Sequence, residues 1–260
     1  MRRATFLVTL AFALTATATT SEPGPAVARV EPAYFGLAIS EPSPVAPLAT
    51  IAPDPVVPKG SFAARPLAGD LTGWSAPRPD AVAIGRIAVV NPFGQQLSFR
   101  VVDGRRDADG TPWVRIETGT EPNGARAWVR ADDVRLVPLR ERIVVDLSQR
   151  RLRRYVDGRI RDRLTVAIGS PSTPTVPGTY FVWARVRAYE PSVYGRFVLG
   201  LSGFSEVVNF GPTPGRLAIH GTADPGDKGQ AVSLGCVRVL NQELQPLWRV
   251  PMGTPVVIRP

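Results

Sequence analysis

The chain has 260 residues, 44% of them hydrophobic and 20% charged, enough to bury one or two cores and too apolar for a wholly disordered chain. One cysteine, Cys236, and one histidine, His220, exclude an intrachain disulfide and a His/Cys zinc tetrad. Thirty-one basic residues against 22 acidic give a net charge of +9, and every cation except Lys59 and Lys228 is arginine. Residues 81–260 hold 25 of the basic and 16 of the acidic residues, an excess that attracts polyanions: nucleic acid, acidic lipid or an anionic wall.

Arg2 and Arg3 precede an apolar run from Ala4 to Ala18, and Ala16-Thr17-Ala18 has the small-x-small form of a cleavage site. This reads as a secretory signal peptide over residues 1–20. The alternative, an uncleaved anchor, needs roughly 20 apolar residues to cross a bilayer, and this run is shorter and interrupted by Thr5, Thr9 and Thr15. An exported destination (wall, periplasm or extracellular space) turns the basic charge toward the envelope and away from nucleic acid. A membrane partner follows only if the signal peptide stays uncleaved.

From residue 21 to residue 80, twelve prolines recur with almost no apolar periodicity, which predicts an extended, disordered tether. Residues 81–138 change character. Short β-rich runs at Ile84–Val90, Leu97–Val102, Trp113–Glu117 and Ala127–Val129 are separated by Asn91-Pro92, Asp103-Gly104, Asp109-Gly110 and Asn123-Gly124, which predicts a small antiparallel barrel. The stretches Thr111–Ile116 and Ala127–Val134 resemble the SH3-like modules that precede bacterial wall enzymes. Trp113 and Trp128 would serve either as core or as a ligand platform.

Strand signals continue from Glu141 to the end of the chain: Arg142–Leu147, Arg151–Tyr155, Ile160–Ile168, Thr179–Val186, Ser205–Phe210, Leu217–His220 and Thr254–Ile258. Asp157-Gly158 is a two-residue hairpin signal. Helical spacing occurs over Leu240–Val250, and Pro246 makes that helix short or bent. The fold class is therefore mostly β, with a barrel over 81–138, a β-rich domain over 141–260 and one short helix.

The chemistry concentrates in Leu217-Ala218-Ile219-His220-Gly221-Thr222 and Ser233-Leu234-Gly235-Cys236-Val237-Arg238. A buried structural thiol and a hydrogen-bonded strand-end histidine would be the bland explanation. Against it stand the oxidation liability of a lone exported thiol, the close backbone approach that Gly235 permits, and the polar Ser233 and Arg238 around the pair. A thiolate with a neighbouring imidazole can carry out acyl transfer through a thioester. The N–H groups of Gly235 and Cys236 would donate to the oxyanion.

These residues resemble the YkuD-type L,D-transpeptidases of bacterial peptidoglycan over roughly residues 141–260. The supporting stretches are Ile143–Leu152, Gly169 with Thr173–Tyr180, and Gly253–Val256. One departure is Leu234, which stands where the family usually has a second histidine.

The resemblance implies that Cys236 attacks the third residue of a tetrapeptide stem and expels D-alanine. An amine of another stem, giving a 3→3 cross-link, or an amine of a wall-linked protein then takes the acyl group. His220 would be base and acid, its ring oriented by the carbonyl of Gly221. Ser233 would shape the substrate pocket, Arg238 would meet a substrate or structural carboxylate, and Tyr194 would touch substrate from a lid spanning residues 189–204. No metal or cofactor is implied, and carbapenem-type β-lactams are the expected inhibitors. Two other readings stay open: a peptidoglycan-binding protein with a degenerate catalytic domain, and an L,D-carboxypeptidase with water as acceptor.

Overall fold

A computed structural model describes residues 56, 57, 59–188 and 192–260. The signal peptide expected over residues 1–20 and the tether as far as residue 55 lie outside the described residues. The described part is mostly β, in two large sheets and a small one.

The first sheet contains β1 (Ser61–Pro66), β2 (Leu71–Trp74), β3 (Ala83–Ile87), β4 (Phe99–Arg106), β5 (Pro112–Glu117), β6 (Arg126–Arg130) and β7 (Val134–Leu139), in the order β3-β2-β6-β5-β4-β1-β7. Residues 61–66 and 71–74, expected to lie in the tether, are strands of this sheet instead. Ala63, Ala64 and Pro66 are buried because β1 fills the space between β4 and β7, and Leu71 enters the same core. Proline density misled here because Pro66 sits at a strand end, where a missing N–H is tolerated. Trp113 and Trp128 are buried, and the Trp113 indole donates to Asp107, so both are core residues.

The second sheet contains β8 (Glu141–Asp146), β9 (Arg151–Val156), β10 (Arg159–Thr165), β12 (Gly178–Arg187), β13 (Phe197–Phe210), β14 (Thr213–Thr222), β16 (Val237–Leu240) and β17 (Pro255–Arg259). Its order is β10-β9-β8-β17-β12-β13-β14-β16. The pair β11 (Ile168–Gly169) and β15 (Ala231–Ser233) runs parallel beside it. Asp157 and Gly158 take φ values of 50° and 75°, as the hairpin between β9 and β10 requires. The predicted helix is one α turn, Asn241–Leu244, continued by a 3-10 segment from Gln245 to Arg249 that contains Pro246. Leu244 and Leu247 anchor it in the core.

The lid expected over residues 189–204 is corrected. Residues 189–191 lie outside the described residues. Phe197–Phe204 belong to β13, with Phe197, Leu199 and Leu201 in the core of the second sheet. Aromatic content was the misleading signal, because alternate residues of a central strand are also large and apolar.

The two halves are packed together. Phe181 of β12 lies in the core of the first sheet, edge to face with Phe99 at 6.3 Å. Asn123 exchanges two hydrogen bonds with the backbone of Phe204 at 2.8 and 2.9 Å, and Asn91 donates to the carbonyl of Trp183.

Candidate active site

β14 and β16 run parallel, with Ile219 opposite Val237 and His220 opposite Arg238. This register brings the end of the His-Gly-Thr strand beside the start of the strand that follows Cys236. The turn joining β15 to β16 is held from within by a buried serine. The Ser233 hydroxyl accepts the N–H of Gly235 at 3.1 Å and donates to the carbonyl of Cys236 at 2.5 Å. Gly235 has φ 105°, a conformation that glycine enters without a Cβ penalty. A second loop supports the turn from behind. Ser170 N–H and the Thr173 hydroxyl both donate to the carbonyl of Ser233, and Thr175 accepts the N–H of Gly169.

Ser233, expected to shape the pocket, spends both bonds of its hydroxyl on the turn. The N–H of Gly235 is committed to Ser233, so it does not point at a reacting oxygen. A serine two residues before a glycine is also the signature of an ST-type turn, and that local competition decides its role.

His220 is buried, and its Nδ1–H donates to the carbonyl of Gly221 at 2.8 Å. In the neutral ring this leaves Nε2 with its lone pair as the proton acceptor. Burial pushes the imidazole pKa down to about 4, with the Arg238 cation adding to the fall. Tyr194 meets the ring edge to face with centroids 5.1 Å apart, and its carbonyl accepts the Gly221 N–H at 2.9 Å. Tyr194 is thus brought to the site as a wall of the histidine.

Cys236 is half-buried, and burial pushes its thiol pKa up. A backbone contact with Ala218 and the Arg238 cation work in the opposite direction. The resting pair is therefore a neutral thiol and a neutral imidazole. A thiolate formed by proton transfer to the histidine at rest, which the residue types suggest, is disfavoured because the site is too dry to hold separated charges.

Arg238 meets a structural acid. Its Nη1 donates to Asp227 at 3.2 Å, and the same carboxylate oxygen accepts the Thr222 hydroxyl at 2.7 Å. Asp227 escaped the sequence reading, and Thr222 entered it only as the end of the His-Gly-Thr motif. The signal for Asp227 was the Asp224-Pro225-Gly226-Asp227 turn between the two motifs, which offers the nearest acids for Arg238. Asn241 also went unseen. Its side-chain oxygen is buried without a hydrogen-bond partner and packs against Gly195 and Gly221 so closely that neither position has room for a Cβ. Leu234 is 53% exposed, at the mouth of the turn.

Residues 140–258 match the family described as YkuD, the L,D-transpeptidase catalytic domain. The YkuD protein of Bacillus licheniformis is 33% identical over 120 residues, which are 46% of this chain and 66% of that protein. The YkuD protein of Bacillus subtilis is 30% identical over 117 residues, 45% of this chain and 64% of that protein. The chain thus spans just under two thirds of the length of these relatives. Among solved structures, an L,D-transpeptidase from Mycobacterium smegmatis superposes with a TM-score of 0.41 at 17% identity, over 78% of this chain and 100% of that one. The catalytic domain of an E. faecium L,D-transpeptidase acylated by ertapenem gives 0.36 at 22% identity, over 47% and 99%.

Proposed function

We propose, from the match of residues 140–258 to the YkuD L,D-transpeptidase catalytic domain, that the protein is an exported cysteine L,D-transpeptidase acting on peptidoglycan stems through Cys236. The observation that carries this reading is the neutral His220 fixed by the Gly221 carbonyl, on the strand paired with the one that Cys236 leads into.

In the first half-reaction the thiol sulfur bonds to the carbonyl carbon of the third stem residue while its proton passes to Nε2 of His220. The carbonyl oxygen becomes the oxyanion. With Gly235 committed to Ser233, the Cys236 N–H is the donor left in the turn for it. Collapse breaks the carbon–nitrogen bond, and the proton on Nε2 goes to the departing amine of D-alanine. In the second half-reaction an acceptor amine attacks the thioester, loses a proton to Nε2, and the sulfur leaves and recovers that proton. Acylation and proton transfer are coupled, so a raised thiol pKa and a low imidazole pKa are compatible with turnover. The acceptor is an amine of another stem or of a wall-linked protein. A carbapenem offers the same sulfur a strained amide and would acylate it.

A second reading, a wall-binding protein with a degenerate site, draws on Leu234, an exposed apolar residue where the family usually has histidine. A third, with water as acceptor, shares the acylation step. Intact-protein mass spectrometry with a disaccharide tetrapeptide tests the proposal. The expected result is a mass increase on Cys236 with one D-alanine released per adduct, and no increase in Cys236→Ala. A folded protein with a free thiol and no adduct favours the binding reading and overturns the proposal. Adding an acceptor amine separates transfer from hydrolysis.

A further inference from the structure

A cleft of about 680 Å³ opens between the two halves of the body, with walls from the first sheet and its loops on one side and Trp183 and Arg216 of the catalytic domain on the other. Its size lies in the range of small-molecule sites. Ile84 and Val90 stand on its wall about half exposed, which gives the cleft an apolar side.

Arg216 is the unusual group in it. Its guanidinium lies 3.8 Å from the ring centroid of Trp183 and 4.3 Å from that of Phe204. Nη1 donates to the carbonyl of Leu201 at 3.0 Å and Nη2 to that of Gly119 at 3.2 Å. Both acceptors are neutral. Burial pulls its pKa down to about 10, opposed by the charge of Glu121 on the same wall. A half-buried cation facing a cleft without a carboxylate partner is costly to hold, and an entering anion offsets that cost. Guanidinium has five N–H donors in a planar fork, and the two bonds to carbonyls leave donors for a carboxylate. Arg86, paired with Asp70 at 3.7 Å, and Arg126 line the same cleft, so two of its three arginines, Arg126 and Arg216, face Glu121 alone.

We propose that this cleft is a second binding site, separate from Cys236, for a carboxylate of a peptidoglycan fragment, with Arg216 as its anchor. The carboxylate chemistry stands on the cleft alone, whereas the choice of a peptidoglycan fragment rests on the transpeptidase reading. An acidic stem bound here would hold a strand against the body while a different stem occupies the thiol.

The test uses the full chain carrying Cys236→Ala, followed by backbone and arginine side-chain NMR during titration with a disaccharide tetrapeptide. Expected are saturable shifts at Gly119, Thr120 and the Arg216 Nε–H. Arg126→Gln, a change at an exposed position, should weaken that binding about tenfold, as should Arg216→Lys, which keeps the charge and loses the fork. A fragment with amidated carboxyl groups should leave these signals unmoved. Shifts confined to residues 218–236, or equal binding of the amidated fragment, would overturn the inference. Parallel incubation of the unmutated protein reads the Cys236 adduct by mass. An adduct with a silent cleft removes only this inference, and cleft binding without an adduct removes only the transpeptidase reading and leaves the carboxylate site.

Discussion

Arg238 and Asp227 form an ion pair at 3.2 Å across the loop that separates the two motifs, and that pair acts on both Cys236 and His220. The Arg238 cation favours the thiolate of Cys236 and disfavours a charged His220, while Asp227 opposes it at His220. Arg238→Gln therefore shifts both pKa values upward, making the sulfur harder to ionise. The expected outcome is a several-fold fall in kcat/KM, a thiol alkylation profile displaced to higher pH, and a loss of about 1–2 kcal/mol of stability from the partly exposed pair. Unchanged alkylation in a folded variant would show that the cation does not act on the sulfur.

Cys236 should be slow to alkylate at neutral pH. Burial holds the thiol above its ordinary range, and His220 is too weak a base at rest to take the proton. The rate with iodoacetamide is expected to climb through alkaline pH without a plateau between pH 5 and 8. A plateau there would mean a resting thiolate–imidazolium pair and would contradict the neutral resting state.

The fold was legible where side-chain period and turn chemistry act locally. The apolar run Ile143-Val144-Val145 and the Asp157-Gly158 turn each specify their element within a few residues. What escaped is non-local. Pro66 and its neighbours join a sheet because β4 and β7 leave a gap, and nothing within residues 61–74 announces those partners. The site divides the same way. His220, Gly221 and Cys236 carry their chemistry in residue type and neighbouring glycine. Asp227 matters only because the register of β14 and β16 places Thr222 and Arg238 within reach of it.

Stability should rise with pH through the range in which His220 titrates differently in the two states. In the unfolded chain the imidazole has its ordinary pKa near 6.5, and in the folded protein it is about 4. Between these values the unfolded state binds more protons, so stability is full above pH 6.5 and falls as the pH drops toward 4. The loss amounts to about 3 kcal/mol for a shift of this size. Denaturant titrations at pH 4.5 and 7.5 should show this difference in the unmutated protein and a smaller one in His220→Gln. Equal slopes in the two proteins would rule out His220 as the source.

Ser233→Ala removes both hydroxyl bonds within the turn, leaving the Gly235 N–H and the Cys236 carbonyl without their partner. A buried group stripped of its partner costs about 1–3 kcal/mol, so the melting temperature should fall by several degrees. Activity should fall further than stability explains, because the same turn sets the position of the sulfur. Ser233→Thr keeps the hydroxyl and should recover part of both if its methyl group is accommodated. Full activity in Ser233→Ala at a temperature where it is folded would show that the turn holds without the serine.

One polar coupling between the two halves runs through Glu117. This buried carboxylate of the first sheet is paired with Arg100 at 2.8 Å and accepts the hydroxyl of Ser202 from β13, which in turn accepts the N–H of Phe181. Arg100→Met strands the carboxylate in the interior, and breaking a buried pair from one side costs about 3–5 kcal/mol. Because the stranded charge sits at the junction, both sheets should lose stability together, in one transition at a lower denaturant midpoint. The double variant Arg100→Met with Glu117→Gln should recover much of the loss, since the amide needs no counter-ion and can still accept from Ser202. If the first sheet alone melts earlier in Arg100→Met, read by the fluorescence of Trp113 and Trp128 against that of Trp248, the halves are independent folding units and Glu117 does not couple them.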